Sequence, residues 1–418
     1  DYSAYIKPTG ISMDGKFKLS SEEFKIEKIS GVDLYPQLTE SNVLIYNDLN
    51  YRHWDKWEDG KYSHVVIEDI KSGSKIDLME GEPFDCPQQP FGGSEDYIWN
   101  SDGSKVLYVT KKKQGKAYAV STNTDIYEYD LASKTTKNLT VSNKGYDTQP
   151  AFSNKGHLGY LQMKRDGYES DKNDIIIIIE GEKINLTAHW DGTVNEFHWS
   201  NDGASIYFIA PINGTVQLFE VHPPKKNGYA VIEQLTNGQF DVHGIVGQAK
   251  NILIVKRRDM NHATELYTVD LKTQKMAQLT FANAAIYSKL AMSKVEKRMV
   301  PTTDGKEMVS WVIYPPNFDP TKKYPTLLYC QGGPQGALSQ FYSYRWNFQL
   351  MAANGYIVIA PNRRGMPGYG VDWNEQISKD YGGQNMDDYL SAIDHITKES
   401  YVDEERLGCI GASYGGYS

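Results

Sequence analysis

An all-β repeat array that gives way to a parallel α/β sheet is the fold class this 418-residue sequence predicts. Three observations predict it. Short alternating strands recur with a period near 45 residues over the first two-thirds of the chain. Strands and helices then alternate. Near the end, Gly411-Ala412-Ser413-Tyr414-Gly415 sets a serine between glycines directly after an apolar strand.

The repeat is marked by Leu139-Thr140, Leu186-Thr187, Leu235-Thr236 and Leu279-Thr280, at intervals of 47, 49 and 44 residues. Upstream of three of them stands an aromatic residue with a turn: Trp99-Asn-Ser-Asp-Gly103, Phe152-Ser-Asn-Lys-Gly156 and Trp199-Ser-Asn-Asp-Gly203. Ile11-Ser-Met-Asp-Gly15 is a degenerate copy. Nine residues separate Asp130 from Leu139, Asp270 from Leu279 and Asp69 from Leu78. Asp-Gly suits a hairpin turn, since Gly takes positive φ and Asp bonds the backbone beyond it. Strands such as Ile126-Tyr127-Glu128-Tyr129 alternate in polarity. A period of this length with short strands predicts β-propeller blades, with the aromatic packed between neighbouring sheets. Five units are expected, over about 1–90, 91–143, 144–190, 191–238 and 239–283. The first is too long and carries an insertion over about 20–60 that ends in Tyr51-Arg-His-Trp-Asp-Lys-Trp-Glu-Asp59. Either its tryptophans pack on a neighbour, or Trp54, Asp55, Trp57 and Glu58 offer aromatic walls and carboxylates to a substrate.

From about residue 291 the pattern changes. Lys294–Val300, Thr303-Asp304-Gly305 and Val309–Tyr314 predict an antiparallel hairpin. Thr326–Cys330 and Tyr356–Ala360 are apolar strands. Ser339–Asn354 is expected to be helical, with Gly355 beyond its end. Met386, Leu390, Ile393 and Ile396 form an apolar helical stripe. Leu407–Ile410 is the strand that leads into the serine. Residues 291–418 are thus expected to hold the amino-terminal half of an α/β-hydrolase domain. The whole chain is expected to be a β-propeller, residues 1–283 with its amino-terminal part missing, followed by a truncated α/β-hydrolase domain.

The spacing G-x-S-x-G fits a nucleophile elbow, where small residues permit a sharp strand-to-helix turn that exposes the hydroxyl. The N–H of Tyr414 would then face an oxyanion. Gln331-Gly332-Gly333-Pro334 follows the first apolar strand, and the N–H of Gly333 is the second candidate donor. Asn362–Gly370 is another glycine-rich loop after a strand. Its Arg363 and Arg364 either bind a substrate carbonyl or carboxylate, or pair with a carboxylate of their own domain such as Asp387 or Asp388. In this fold the acid and the histidine follow the serine. All nine histidines precede Ser413, and His395 lies in a helical stretch before the elbow. The chain is therefore expected to be the middle of a longer enzyme, inactive alone.

Forty per cent apolar and 23 per cent charged residues mark an ordinary globular composition. A net charge of −9 without a basic cluster disfavours nucleic acid as a partner. Apolar runs are too short to span a membrane as a helix. Cys86, Cys330 and Cys409 form neither a disulfide framework nor a metal site, and Cys330 and Cys409 are expected to be core thiols. No metal or cofactor is expected. Asn138, Asn185 and Asn213 each open an N-x-Thr sequon.

On the blade repeats, Gln331-Gly-Gly-Pro334, Asn362-Arg-Arg-Gly365 with Gly368-Tyr-Gly370, and Gly411-Ala-Ser-Tyr-Gly-Gly416, the chain resembles the prolyl oligopeptidase family of serine peptidases. Cys330-Gln-Gly-Gly-Pro-Gln335 and Tyr51-Arg-His-Trp-Asp55 are most similar to its bacterial dipeptidyl-peptidase V type, close to the acylaminoacyl peptidases. The resemblance implies release of dipeptides or short acyl-peptide units through an acyl-enzyme on Ser413, with Tyr414 and Gly333 as oxyanion donors. Many members carry His or Tyr where Gln331 stands, so an oxyanion role for the Gln331 amide is open. It also implies short peptides as substrates and a periplasmic or secreted location, with cytoplasmic as the alternative. A homodimer is a further expectation. Competing readings are an esterase on the same scaffold and a non-enzymatic propeller binding module.

Overall fold

The computed structural model describes residues 10–224 and 229–418. They form two compact units. One comprises residues 10–188 with Trp199–Ser205, and the other His189–His198 with Ile206–Ser418.

Five antiparallel sheets follow one another along the chain. The first has strands Phe17–Lys25, Lys61–Asp69 and Lys75–Asp77. The next four have four strands each and run from Tyr97 to Asn138, Asp147 to Asn185, Glu196 to Gln234, and Met276–Gln278 back to a first strand at Asp241–Ala249. In all of them each strand pairs with the next in sequence.

The Leu-Thr repeat has a physical cause. Each leucine closes the outermost pairing: Leu139 N–H bonds the Ile126 carbonyl, and Leu186, Leu235 and Leu279 do the same to Ile175, Leu218 and Leu266. Each following threonine is a latch. Thr187 Oγ1 accepts from Ile175 N–H at 3.0 Å and donates to Asp174 at 2.7 Å. Thr140 repeats this on Ile126 and Asp125, Thr236 on Leu218 and Gln217, and Thr280 on Leu266 and Glu265. The sequon asparagines Asn138 and Asn185 belong to the same turn, where each side chain accepts from the threonine N–H.

The nine-residue spacing is explained likewise. Asp130 accepts from Ala132 and Ser133 N–H, Asp270 from Lys272 and Thr273, and Asp69 from Lys71 and Ser72, so each acid builds the outer turn. The hairpin turns form at Gly15, Gly103 and Gly203, which follow Asp, and at Gly156, which follows Lys155, all at positive φ, each N–H bonding the carbonyl three residues back. Trp99 and Trp199 donate their indole N–H groups to the carbonyls of Gly10 and Ala151.

The insertion is shorter than expected. Residues 20–25 belong to the first strand, whose register with Lys61–Asp69 is unbroken. The inserted segment therefore begins after Lys25. It holds a one-turn helix, Gly31–Leu34, and a small hairpin that pairs Arg52 with Trp57.

The α/β part is a five-stranded sheet. Its strands are β1 (Val295–Pro301), β2 (Glu307–Ile313), β3 (Tyr324–Cys330), β4 (Ile357–Pro361) and β5 (Val402–Gly411), in the order β1-β2-β4-β3-β5. β3 is parallel to β4 and β5, while β1 and β2 are antiparallel additions. The helices are α1 (Phe348–Ala353), α2 (Val371–Glu375), α3 (Gln384–Ile396) and α4 (Tyr414–Tyr417).

Three expectations are corrected. The helix expected over 339–354 starts only at Phe348, capped by Asn347, because Ser339 and Gln340 are held in a loop by bonds to buried Asp241. On α3 the expected apolar stripe holds at Ile396, which is buried, and at Met386 and Ile393, which pack half-buried against the core, but Leu390 is exposed and Tyr389 and Ala392 are buried instead. Among the described residues Cys409 on β5 is exposed, whereas Cys86 and Cys330 are buried. Gly355 does follow α1, with φ +89°.

Candidate active site

The carboxyl ends of parallel strands gather loops along one sheet edge. Cys330 at the end of β3 pairs with Gly411 at the end of β5, so the loops after them lie side by side. Ser413 turns the chain from β5 into α4 with φ 56° and ψ −124°, a conformation that non-glycine residues rarely adopt. Its residue is exposed, and no side-chain bond ties its hydroxyl to the helix it caps.

Glycine permits this crowding. A Cβ on Gly332 would lie 2.6 Å from the Ala412 carbonyl oxygen and 3.6 Å from Ser413 Cβ. One on Gly415 would lie 2.1 Å from the Cys330 carbonyl oxygen, and one on Gly411 2.7 Å from it. Gly333 has φ +56° and open space around it, and Gly336 N–H bonds its carbonyl. Tyr414 is buried. Its phenol donates to the Tyr381 carbonyl at 2.8 Å and accepts from Asn385.

Arg363 and Arg364 are fully buried. Arg364 pairs with Asp388 and Asp304, bonds Gln376, and stacks 4.0 Å from the Trp373 ring centroid. The guanidinium holds the Asp304 carboxyl at about 2, whereas burial pushes Asp388 up. Arg363 donates to the carbonyls of Pro334 (2.7 Å), Arg364 (2.7 Å) and Gln331 (3.4 Å) and to the Tyr389 hydroxyl (3.1 Å). Asn362 bonds both backbone groups of Leu338.

The structure thus brings Gln331, Gly333, Ser413, Tyr414 and Arg363 together, with Arg364 one layer behind. Trp54, Asp55, Trp57 and Glu58 belong to the other compact unit. There Trp54 is exposed at the hairpin tip with φ 48°, and Asp55 is exposed beside it. Trp57 stacks on Tyr46 and Tyr51 beneath Arg52. Glu58 lines a cleft of about 510 Å³ with Glu27, Tyr46, Tyr62, Asp85 and Tyr118 among its walls. Burial, then the charges of Asp85, Asp59 and Glu27, pushes the Glu58 carboxyl to about 7; burial raises Asp85 to about 6. Glu27, Tyr62 and Asp85 escaped the sequence reading because they lie far from the tryptophan motif and follow no spacing rule. The grip of Arg363 on three carbonyls likewise had no signal in residue type.

Comparison with known proteins gives one family profile, described as the prolyl oligopeptidase family, matching residues 342–418. The chain is 43% identical over 413 residues to a protein of Porphyromonas gingivalis named dipeptidyl-peptidase 5, covering 97% of this chain and 59% of that protein. A Porphyromonas endodontalis protein of the same name is 44% identical over 414 residues, with the same coverage. Among solved structures, a Pyrococcus horikoshii acylaminoacyl peptidase aligns with a TM-score of 0.75 at 21% identity, over 97% of this chain and 58% of that one. The chain therefore spans less than two-thirds of the length of the relatives it matches.

Proposed function

This chain belongs to the prolyl oligopeptidase family, and from that premise we propose that Ser413 is the nucleophile of a serine exopeptidase that releases dipeptides or short acyl-peptide units from peptide amino ends. The observation that carries the proposal is the exposed Ser413 at a positive-φ elbow, with Gly332 packed against it. The names of the relatives support amino-terminal dipeptides or acyl units as what is released.

In this mechanism a general base takes the Ser413 proton as Oγ attacks the scissile carbonyl carbon. The carbonyl π electrons move to oxygen, where the N–H groups of Tyr414 and Gly333 stabilise the oxyanion. Each donor contributes roughly 3 kcal/mol. The proton passes to the leaving amine, and water then cleaves the acyl-Ser413 ester. A free α-amino group needs a carboxylate in a partly desolvated setting. Within its own compact unit, Glu58 shares a cleft with Glu27 and Asp85 that offers carboxylates of this kind, and Asp55 lies nearby in sequence. In the complete protein, Ser413→Ala should lower turnover of a dipeptidyl coumarin amide by about 10³-fold or more. Unchanged turnover would falsify the assignment. Preference for a short acyl ester over the amide would instead favour an esterase.

A further inference from the structure

Arg363 carries an observation that burial alone leaves unexplained. Its side chain is fully buried. Its neighbour Arg364 takes two carboxylates, yet the hydrogen bonds of the Arg363 guanidinium run to three carbonyl oxygens and a phenol. A buried cation is expensive to desolvate, and an apolar side chain of similar volume fills such a space at lower cost. The placement of its donors shows what the charge does. Gln331 and Pro334 flank the Gly332-Gly333 pair, and one guanidinium bonds the carbonyls of both. The same group lies 4.8 Å from the ring centroid of Tyr414. Tyr414 is fixed at its far end by Tyr381 and Asn385.

We propose that Arg363 is the positioning residue of the oxyanion site: one guanidinium fork clamps both ends of the loop that presents the Gly333 N–H and braces the residue that presents the Tyr414 N–H. This rests on the reading of Ser413 as nucleophile. The geometry explains why a planar fork is required. A lysine ammonium keeps the charge but cannot bond two carbonyls in fixed directions while lying flat on a ring. Gly333, at φ +56°, has no side chain to anchor it and is held by the turn in which the Gly336 N–H bonds its carbonyl. The clamped carbonyls of Gln331 and Pro334 fix the two flanks of that turn. Loss of the clamp leaves the substrate pocket and the serine intact but lets a donor drift from the oxyanion. Such a defect belongs to the transition state, so it appears in kcat and not in KM.

The test uses the complete protein with Arg363→Met and Arg363→Lys, alongside Ser413→Ala. Each is assayed on a dipeptidyl coumarin amide, and the two arginine variants are titrated with a dipeptidyl boronate, whose adduct on serine imitates the tetrahedral intermediate. The expected result is a loss of about 10- to 100-fold in kcat for both arginine variants, with KM within about 3-fold and boronate affinity weakened in proportion to kcat/KM. If Arg363→Met melts below the assay temperature, Arg363→Lys decides alone. Retained kcat in a folded arginine variant overturns the proposal, as does a defect confined to KM with unchanged boronate affinity. Retained turnover by Ser413→Ala overturns the underlying reading instead, so the two failures are separate.

Discussion

A methyl group added to Gly415 would meet the Cys330 carbonyl oxygen at 2.1 Å, a backbone atom that cannot swing aside. Gly415→Ala is therefore expected to cost at least about 3 kcal/mol or to prevent folding, measured by urea denaturation. Gly333→Ala adds a methyl to open space and pays only the left-handed backbone cost of about 1–2 kcal/mol. It keeps its N–H and should lose less than about tenfold in kcat. Buried acids behave differently. Burial lifts the Asp96 carboxyl from its ordinary 3.8 to about 7, against the pull of the Gln88 N–H. Between those values the native state holds a proton that the unfolded chain has released, so stability declines as pH rises across the window. Asp96→Asn imitates the protonated acid and should flatten the fall in Tm between pH 5 and about 7.5. An unchanged slope would assign the linkage to another group, such as Asp147, whose burial also takes it to about 7.

At the scale of one element, the Leu-Thr turn offers the cleanest measurement. Thr187 is fully buried, and its hydroxyl bridges Ile175 N–H and Asp174. Thr187→Val keeps the shape, leaves the Ile175 N–H without this acceptor and removes one of the bonds of Asp174, which keeps Asn185 and Lys172, so a loss of about 1–3 kcal/mol is expected in chemical denaturation, with Thr187→Ser losing less. The same element shows what a sequence can disclose. Leu, Thr and the outer Asp recur because identical local bonds recur, and local bonds impose spacing. The elbow was legible for the same reason, since only small residues fit between Cys330 and Ser413. The helix expected over 339–354 failed because its first half is held by Asp241, about a hundred residues earlier. The roles of Arg363, Glu27 and Asp85 were equally hidden, for each depends on partners distant in sequence.

At the scale of the whole molecule, Ser413 and the Gly332-Gly333 turn lie in one compact unit, and Glu58 and Asp85, whose carboxyls burial raises, lie in the other. Fluorophosphonate labelling of residues 1–418 tests His395, the histidine nearest to Ser413 in sequence: labelling that Ser413→Ala and His395→Ala both abolish would assign the base to it, and labelling that survives His395→Ala would exclude it. The threonine latches have one more consequence. Each joins two residues of a single repeat, so a stretch of forty-odd codons carries its own fastening. Cut out in frame, such a cassette removes the donor and acceptor of its latch together and orphans no latch group in the sheets that stay behind.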